Sequence, residues 1–259
     1  MAHAPDAESG LTRASRLCER YVGVRAATLA LCEPLEPEDY VLQSMPECSP
    51  IKWHLAHTTW FFEVFVLREL DPGYACPPGY EQLFNSYYDA LGARIARGAR
   101  GLLSRPTIDE IRAYRAGVDE TVCALLSRAE SMPSAVLDRI ELGLAHEEQH
   151  QELILTDLLH AFSQNPTAPA YRTPPEELLG LSSEAVVPGV ESVHWLDDGG
   201  GVVRVGHAGG GFAFDNEGPA HRAFVEPFSL RKGRVTCAEY IEFIRDGGYR
   251  DPRFWLADG

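Results

Sequence analysis

The sequence predicts a mainly α protein: a four-helix bundle over residues 10–163, then a short, incomplete α+β segment over 191–259. Three observations carry this. Four stretches before residue 163 repeat apolar residues at helical spacing. Pro166, Pro169, Pro174, Pro175 and Pro188 mark a linker over 164–190. Beyond it the chain turns to short β-like pieces separated by glycines.

The first helix is expected over 12–31, where Leu17, Tyr21, Val24, Ala27 and Leu31 fall near helical spacing before Pro34 and Pro37 end it. The second should start with Ser49 as N-cap and Pro50 at the first helical position. It runs to Leu70 with apolar and aromatic residues around most of its circumference, the pattern of a deeply packed helix. From Asp71 to Pro106 no helical periodicity is visible, and connections that long are usually functional or disordered. Phe84, Tyr87 and Tyr88 within it favour function. The third helix opens at the capping box Thr107-x-x-Glu110 and continues to about Ala129; the fourth starts at Ser134 and ends near Phe162. One long crossover then joins the two halves of the bundle.

In the linker a short helix is expected near 176–179. After it, 201–206, 209–214 and 223–230 read as strands, and Thr236-x-x-Glu239 caps a short helix through Ile244. The segment is small for a free-standing domain and shows no closing strand, so an incomplete second domain is expected.

A formal charge of −15 argues against a phosphate-backbone partner, so no nucleic acid is expected. No apolar run approaches the ~20 residues of a membrane helix, and the N-terminus lacks a basic-then-apolar signal. The expected location is the cytoplasm, without a membrane partner. Six cysteines without a Cys-x-x-Cys pair then read as free thiols.

The chemistry is concentrated in His146-Glu-Glu-Gln-His150 on the fourth helix. Histidines four residues apart lie on one helix face and can reach one metal ion without bending the backbone. Apolar neighbours Ile140, Leu142, Leu144, Leu153, Ile154 and Leu158 make an idle polar patch a poor description. A catalytic metal usually takes three protein ligands, and the second helix offers His54 and His57. Trp53, Trp60 and Phe61 lie within a turn of His57, and a histidine so enclosed needs a partner. His54, nearer the helix start, reads as a surface or outer-sphere residue. His160 is too far along the helix to share an ion. The same letters match the zinc-protease signature His-Glu-x-x-His, with Glu147 as general base. That reading fails on context: positions 153 and 156 are Leu and Thr where the extended form needs Gly and His. Glu147 is left as an outer-sphere or surface carboxylate.

Leu55-Ala-His57, Phe84-Asn-Ser-Tyr-Tyr88, Arg100-Gly-Leu-Leu-Ser-Arg-Pro106 and His146-Glu-Glu-Gln-His-Gln-Glu152 together resemble the sulfoxide synthases of ergothioneine biosynthesis, the hercynine oxygenases. Phe214-Asp-Asn-Glu-Gly-Pro-Ala-His221, Asp246-Gly-Gly-Tyr249 and Phe254-Trp-Leu extend the resemblance into the second segment. It implies a DinB-like four-helix bundle joined to a C-type-lectin-like domain of the formylglycine-generating-enzyme type. It further implies non-haem iron(II) on His57, His146 and His150, and O2-dependent joining of a cysteine or γ-glutamylcysteine sulfur to the imidazole of hercynine. By the same resemblance Tyr87 and Tyr88 supply a proton or hydrogen, and Gln149 contacts the trimethylated substrate. Cys237 stands where such proteins usually carry Asn, and in them the lectin-like domain continues well past the equivalent of Gly259 and supplies much of the substrate pocket. Two alternatives stand beside this reading: a DinB-like metal-dependent thiol transferase without O2 chemistry, and a truncated metal-binding fragment without activity.

Overall fold

A computed structural model describes residues 10–86, 92, 94–128, 132–173 and 194–256. The chain divides into two compact units, 1–174 and 175–259.

The first unit is helical. Helix α1 spans Gly10–Cys32, α2 Ile51–Phe62, α3 Tyr80–Phe84, α4 Ile108–Leu126 and α5 Ser134–Ser163. Helices α1 and α2 each pack against both α4 and α5. All twelve residues of α2 are buried, as its apolar circumference predicts. Its rod continues through a π turn at Glu63–Leu67 and a last turn at Arg68–Leu70.

Two local expectations are corrected. Ser49 does not cap α2; Pro50 holds the cap position, while the Ser49 N–H donates to Asp157 Oδ2 at 2.8 Å and its Oγ accepts from Arg100 at 2.9 Å. Tertiary partners outcompete the local bond. The 71–106 connection is also partly helical, with α3 and a 3₁₀ helix at Arg97–Leu102. Both are too short to show a repeat in sequence. The capping box of α4 forms as expected, with the Glu110 N–H donating to Thr107 Oγ1 at 3.2 Å and the Thr107 N–H to Glu110 Oε2 at 2.7 Å.

Two apolar clusters fill this unit. One gathers Leu17, Tyr21, Phe62, Val118, Val122, Ile140 and Leu144; the other gathers Tyr40, Ile51, Trp53, Trp60, Phe84, Ile111, Ile154 and Leu158. Along α5 the two histidines fall where the first cluster gives way to the second. Gly143 sets the approach of α5 to α2, since a Cβ there would lie 2.6 Å from the Phe62 ring and 2.9 Å from that of Phe61. Positions 143, 146 and 150 share one stripe of α5, so this approach brings the histidines to α2.

In the second unit, β1 (Trp195–Asp198) pairs antiparallel with β4 (Phe228–Arg231), and β2 (Gly201–Val205) with β3 (His221–Val225). The expected strand at 223–230 is therefore two strands in two sheets, divided at Glu226-Pro227, where proline lacks an N–H for the ladder. The expected strand at 209–214 is absent: Gly209, Gly210 and Gly211 all take positive φ, which no strand permits. Helix α6 (Cys237–Arg245) carries the predicted Thr236–Glu239 capping box, with Cys237 exposed and the cap intact. The short helix expected near 176–179 lies outside the described residues. Among the described residues, no helix is long and apolar enough to cross a membrane.

Because the rings facing Gly143 are buried and cannot swing away, Gly143→Val should lower the unfolding free energy by about 1–3 kcal/mol, read by denaturant titration.

Candidate metal centre

Helix α2 supplies His57 and α5 supplies His146 and His150, one turn apart. One ring nitrogen from each lies within 4.8 Å of the others, close enough to share one ion. The ring centroids are 4.6–5.0 Å apart.

Outer contacts decide which nitrogen faces inward. His57 Nδ1 lies 2.6 Å from the Phe84 carbonyl oxygen, which can only accept, so Nδ1 carries the proton and Nε2 keeps its lone pair. The His57 ring stacks on Trp53 at 4.5 Å and 14° and on Trp60 at 5.8 Å and 19°. Trp53 also carries the Arg100 guanidinium 3.4 Å from its ring centroid. Arg100 donates to Ser49 Oγ at 2.9 Å and Ser86 Oγ at 3.1 Å, which ties the Phe84–Ser86 chain to the start of α2. His150 Nδ1 lies 2.8 Å from His54 Nδ1, leaving Nε2 for the centre. His146 Nδ1 is buried without a hydrogen-bond partner.

Three imidazoles converge with no acid between them, and one buried nitrogen is unsatisfied inside the cluster. Both features suit a divalent metal that takes neutral nitrogen ligands. Burial pushes the His57 ring well below the usual histidine range, with the charge of His146 adding to it. Burial likewise pushes His146 down to about 4 and lowers His150 further, the latter helped by His57. Neutral rings are the form a metal needs.

Of the two places expected for Glu147, outer-sphere and surface, the surface one is excluded: Glu147 is fully buried. Arg25 Nη1 donates to its Oε2 at 2.8 Å, Thr28 Oγ1 to its Oε1 at 2.6 Å, and Arg115 Nη2 to the same Oε1. Burial alone would raise its pKa, but the two guanidiniums outweigh that and hold it at about 2. Arg25 also donates to Thr59 Oγ1 on α2 at 3.0 Å and to Asp119 on α4 at 2.6 Å. One ion-pair network thus joins α1, α2, α4 and α5 directly behind His146.

Of the two readings of His54, surface and outer-sphere, the surface one is corrected: the residue is buried, between His150 and Asp157. His160 sits apart, its Nδ1 2.7 Å from Ser44 Oγ. Gln149 is exposed on α5, and Tyr87 and Tyr88 lie outside the described residues. Sequence reasoning missed Asp157, Arg25 and Arg115, and quoted Arg100 only as part of a motif, without a role. Only Asp157 left a signal, at seven residues past His150 on the same helix stripe.

Glu147→Gln leaves the buried Arg115 guanidinium without its counter-charge and Arg25 with Asp119 alone, and should cost about 3–5 kcal/mol in denaturant unfolding. In the wild type, Glu147 has a folded pKa below its ordinary value of 4.5, so its stabilisation is complete above pH 4.5 and drains away as pH falls toward 2. The unfolding free energy of Glu147→Gln should show a flatter slope across that window.

Comparison with known proteins follows the same residues. A family model described as the DinB superfamily matches residues 20–154. The chain is 30% identical over 247 residues to the hercynine oxygenase of Mycolicibacterium smegmatis, covering 94% of this chain and 53% of that protein. It is 31% identical over 249 residues to the hercynine oxygenase of Mycolicibacterium thermoresistibile, covering 95% and 51%. With the hercynine oxygenase of Mycobacterium tuberculosis, identity is 27% over 257 residues, covering 96% and 55%. The chain thus spans about half the length of the curated relatives it matches. A helical unit carrying three clustered histidines, matched over most of its length by that family model, belongs to the DinB superfamily, and the chain as a whole is similar to one half of the hercynine oxygenases.

Proposed function

We propose that His57, His146 and His150 hold iron(II), and that the protein is a sulfoxide synthase joining the sulfur of cysteine or γ-glutamylcysteine to the imidazole of hercynine. The observation that carries this is the three-histidine cluster, lying in a chain similar along almost its whole length to hercynine oxygenases. In this reading 10–163 is a DinB-like four-helix bundle, and 191–259 belongs to a formylglycine-generating-enzyme-like domain.

The reaction balances as thiol plus imidazole C–H plus O2 giving the aryl sulfoxide and water: the two hydrogens lost from sulfur and carbon leave in the water. Iron(II) held by His57, His146 and His150 would supply the activation of O2. The chain's own residues do the rest. Three neutral imidazoles leave the ion its full charge to attract a thiolate. The Phe84 carbonyl holds His57 in the tautomer that points Nε2 inward. Trp53 and Trp60 flank that ring and keep water from it. Tyr87 and Tyr88 follow directly on the Phe84–Ser86 chain, and as phenols, weak acids with pKa near ~10, they suit delivery of a proton. Gln149, exposed one residue before His150, offers an amide oxygen to a trimethylammonium group.

The protein loaded anaerobically with iron(II), then given hercynine, either thiol and O2, should yield the sulfoxide by mass spectrometry. His150→Ala should abolish it, and Tyr87→Phe or Tyr88→Phe should lower kcat by at least about 10²-fold. Product surviving His150→Ala would overturn the assignment, and iron binding without turnover would favour the metal-binding fragment. Turnover of a thiol without O2 would point instead to a DinB-like thiol transferase.

A further inference from the structure

We infer that Asp157 and His54 form a positioning relay that fixes the tautomer of His150 and so opens its Nε2 to the metal; this rests on the three-histidine reading above. Neither residue touches the centre itself.

The protons are dictated in sequence. Asp157 Oδ2 accepts the Ser49 N–H at 2.8 Å and faces His54 Nε2 at 3.0 Å. A carboxylate oxygen accepts, so His54 Nε2 carries a proton. In a neutral imidazole Nδ1 is then an acceptor, and its partner among the described residues is His150 Nδ1 at 2.8 Å, which must donate. With its proton on Nδ1, His150 has a bare lone pair on Nε2. Reversing either of the two histidine bonds would put the His150 proton on Nε2 and close the ligand. Burial enforces the arrangement, because a missing partner would leave a buried ring nitrogen unsatisfied. The rings sit edge to face at 5.1 Å, so the bond also fixes the plane of His150.

The backbone bond from Ser49 gives the relay its fixed end. Ser49 precedes α2, His54 lies one turn into α2, and Asp157 lies two turns beyond His150 on α5. The relay therefore references His150 to the N-terminus of α2, whereas His57 is referenced to the Phe84 carbonyl. A metal-bound histidine normally passes its second N–H to a carboxylate, a carbonyl or water; here a second histidine stands between ligand and carboxylate.

The test is metal affinity, with cobalt(II) as an optical probe, on the intact chain. Asp157→Leu removes the acceptor, while Asp157→Asn keeps an oxygen able to accept both bonds. His54→Phe and His54→Gln form the same pair one step closer. The relay predicts that Asp157→Leu and His54→Phe weaken cobalt(II) binding about 10–100-fold and alter its visible d–d bands. Asp157→Asn and His54→Gln should recover most of the affinity and the wild-type spectrum. A general packing role would lower stability without moving the bands and without rescue. Wild-type affinity and spectrum in Asp157→Leu, or failure of both rescue variants, overturns the relay. If Asp157→Leu does not fold, the His54 pair decides by the same criteria. A wild-type chain that binds no cobalt(II), or that binds it undiminished after His57→Ala, overturns the three-histidine centre and the relay with it.

Discussion

Glu147 is an ionised carboxylate with no exposed surface, and its position constrains everything around the centre. An unpaired buried charge costs several kcal/mol, so the fold must bring guanidiniums to it. They arrive from residues 25 and 115, on α1 and α4, with a threonine from α1 completing the shell. Arg25 then reaches across to Thr59 on α2. Glu147 follows His146 in the chain, so the network that satisfies the carboxylate also fixes the helix turn bearing the first histidine. Helix α5 can neither rotate nor slide without breaking it.

The same helix is held at close range by Gly143, where the rings of Phe61 and Phe62 fill the space a Cβ would take. Depth and rotation are thus set by different residues: the glycine brings the helices together, and the buried ion pairs fix the rotation. Within that frame each histidine has its own support. A backbone carbonyl orients His57, a histidine–aspartate pair orients His150, and His146 follows from its place between Ala145 and Glu147, both buried. Rigid placement of this kind leaves little reorganisation to be made when a metal binds.

Much of this was legible in sequence where the signal is local. Helical periods fixed α1, α2, α4 and α5 to within a few residues, and the capping boxes at Thr107 and Thr236 formed as read. The spacing of His146 and His150, and the aromatic surroundings of His57, pointed to residues the fold brings together. What escaped was partnership across the chain. Nothing near Glu147 in sequence announces Arg25 or Arg115, because periodicity gives a residue's face and not its neighbour. Ser49 was misread for the same reason: a good N-cap residue was drawn to Arg100 and Asp157. His54 read as a surface or outer-sphere residue by its position near a helix start; that start is itself buried, which removes the surface alternative. The π turn at Glu63–Leu67 has no signature in a sequence that reads as continuous helix.

The most direct test of the account is X-ray absorption on the protein carrying one equivalent of iron(II), without substrates or O2. Multiple scattering from imidazole rings counts the histidines on the ion. The account predicts three imidazoles, the remaining positions being filled by light oxygen scatterers from solvent. Two or fewer imidazoles, or a sulfur or carboxylate from the protein in the first coordination sphere, would contradict it.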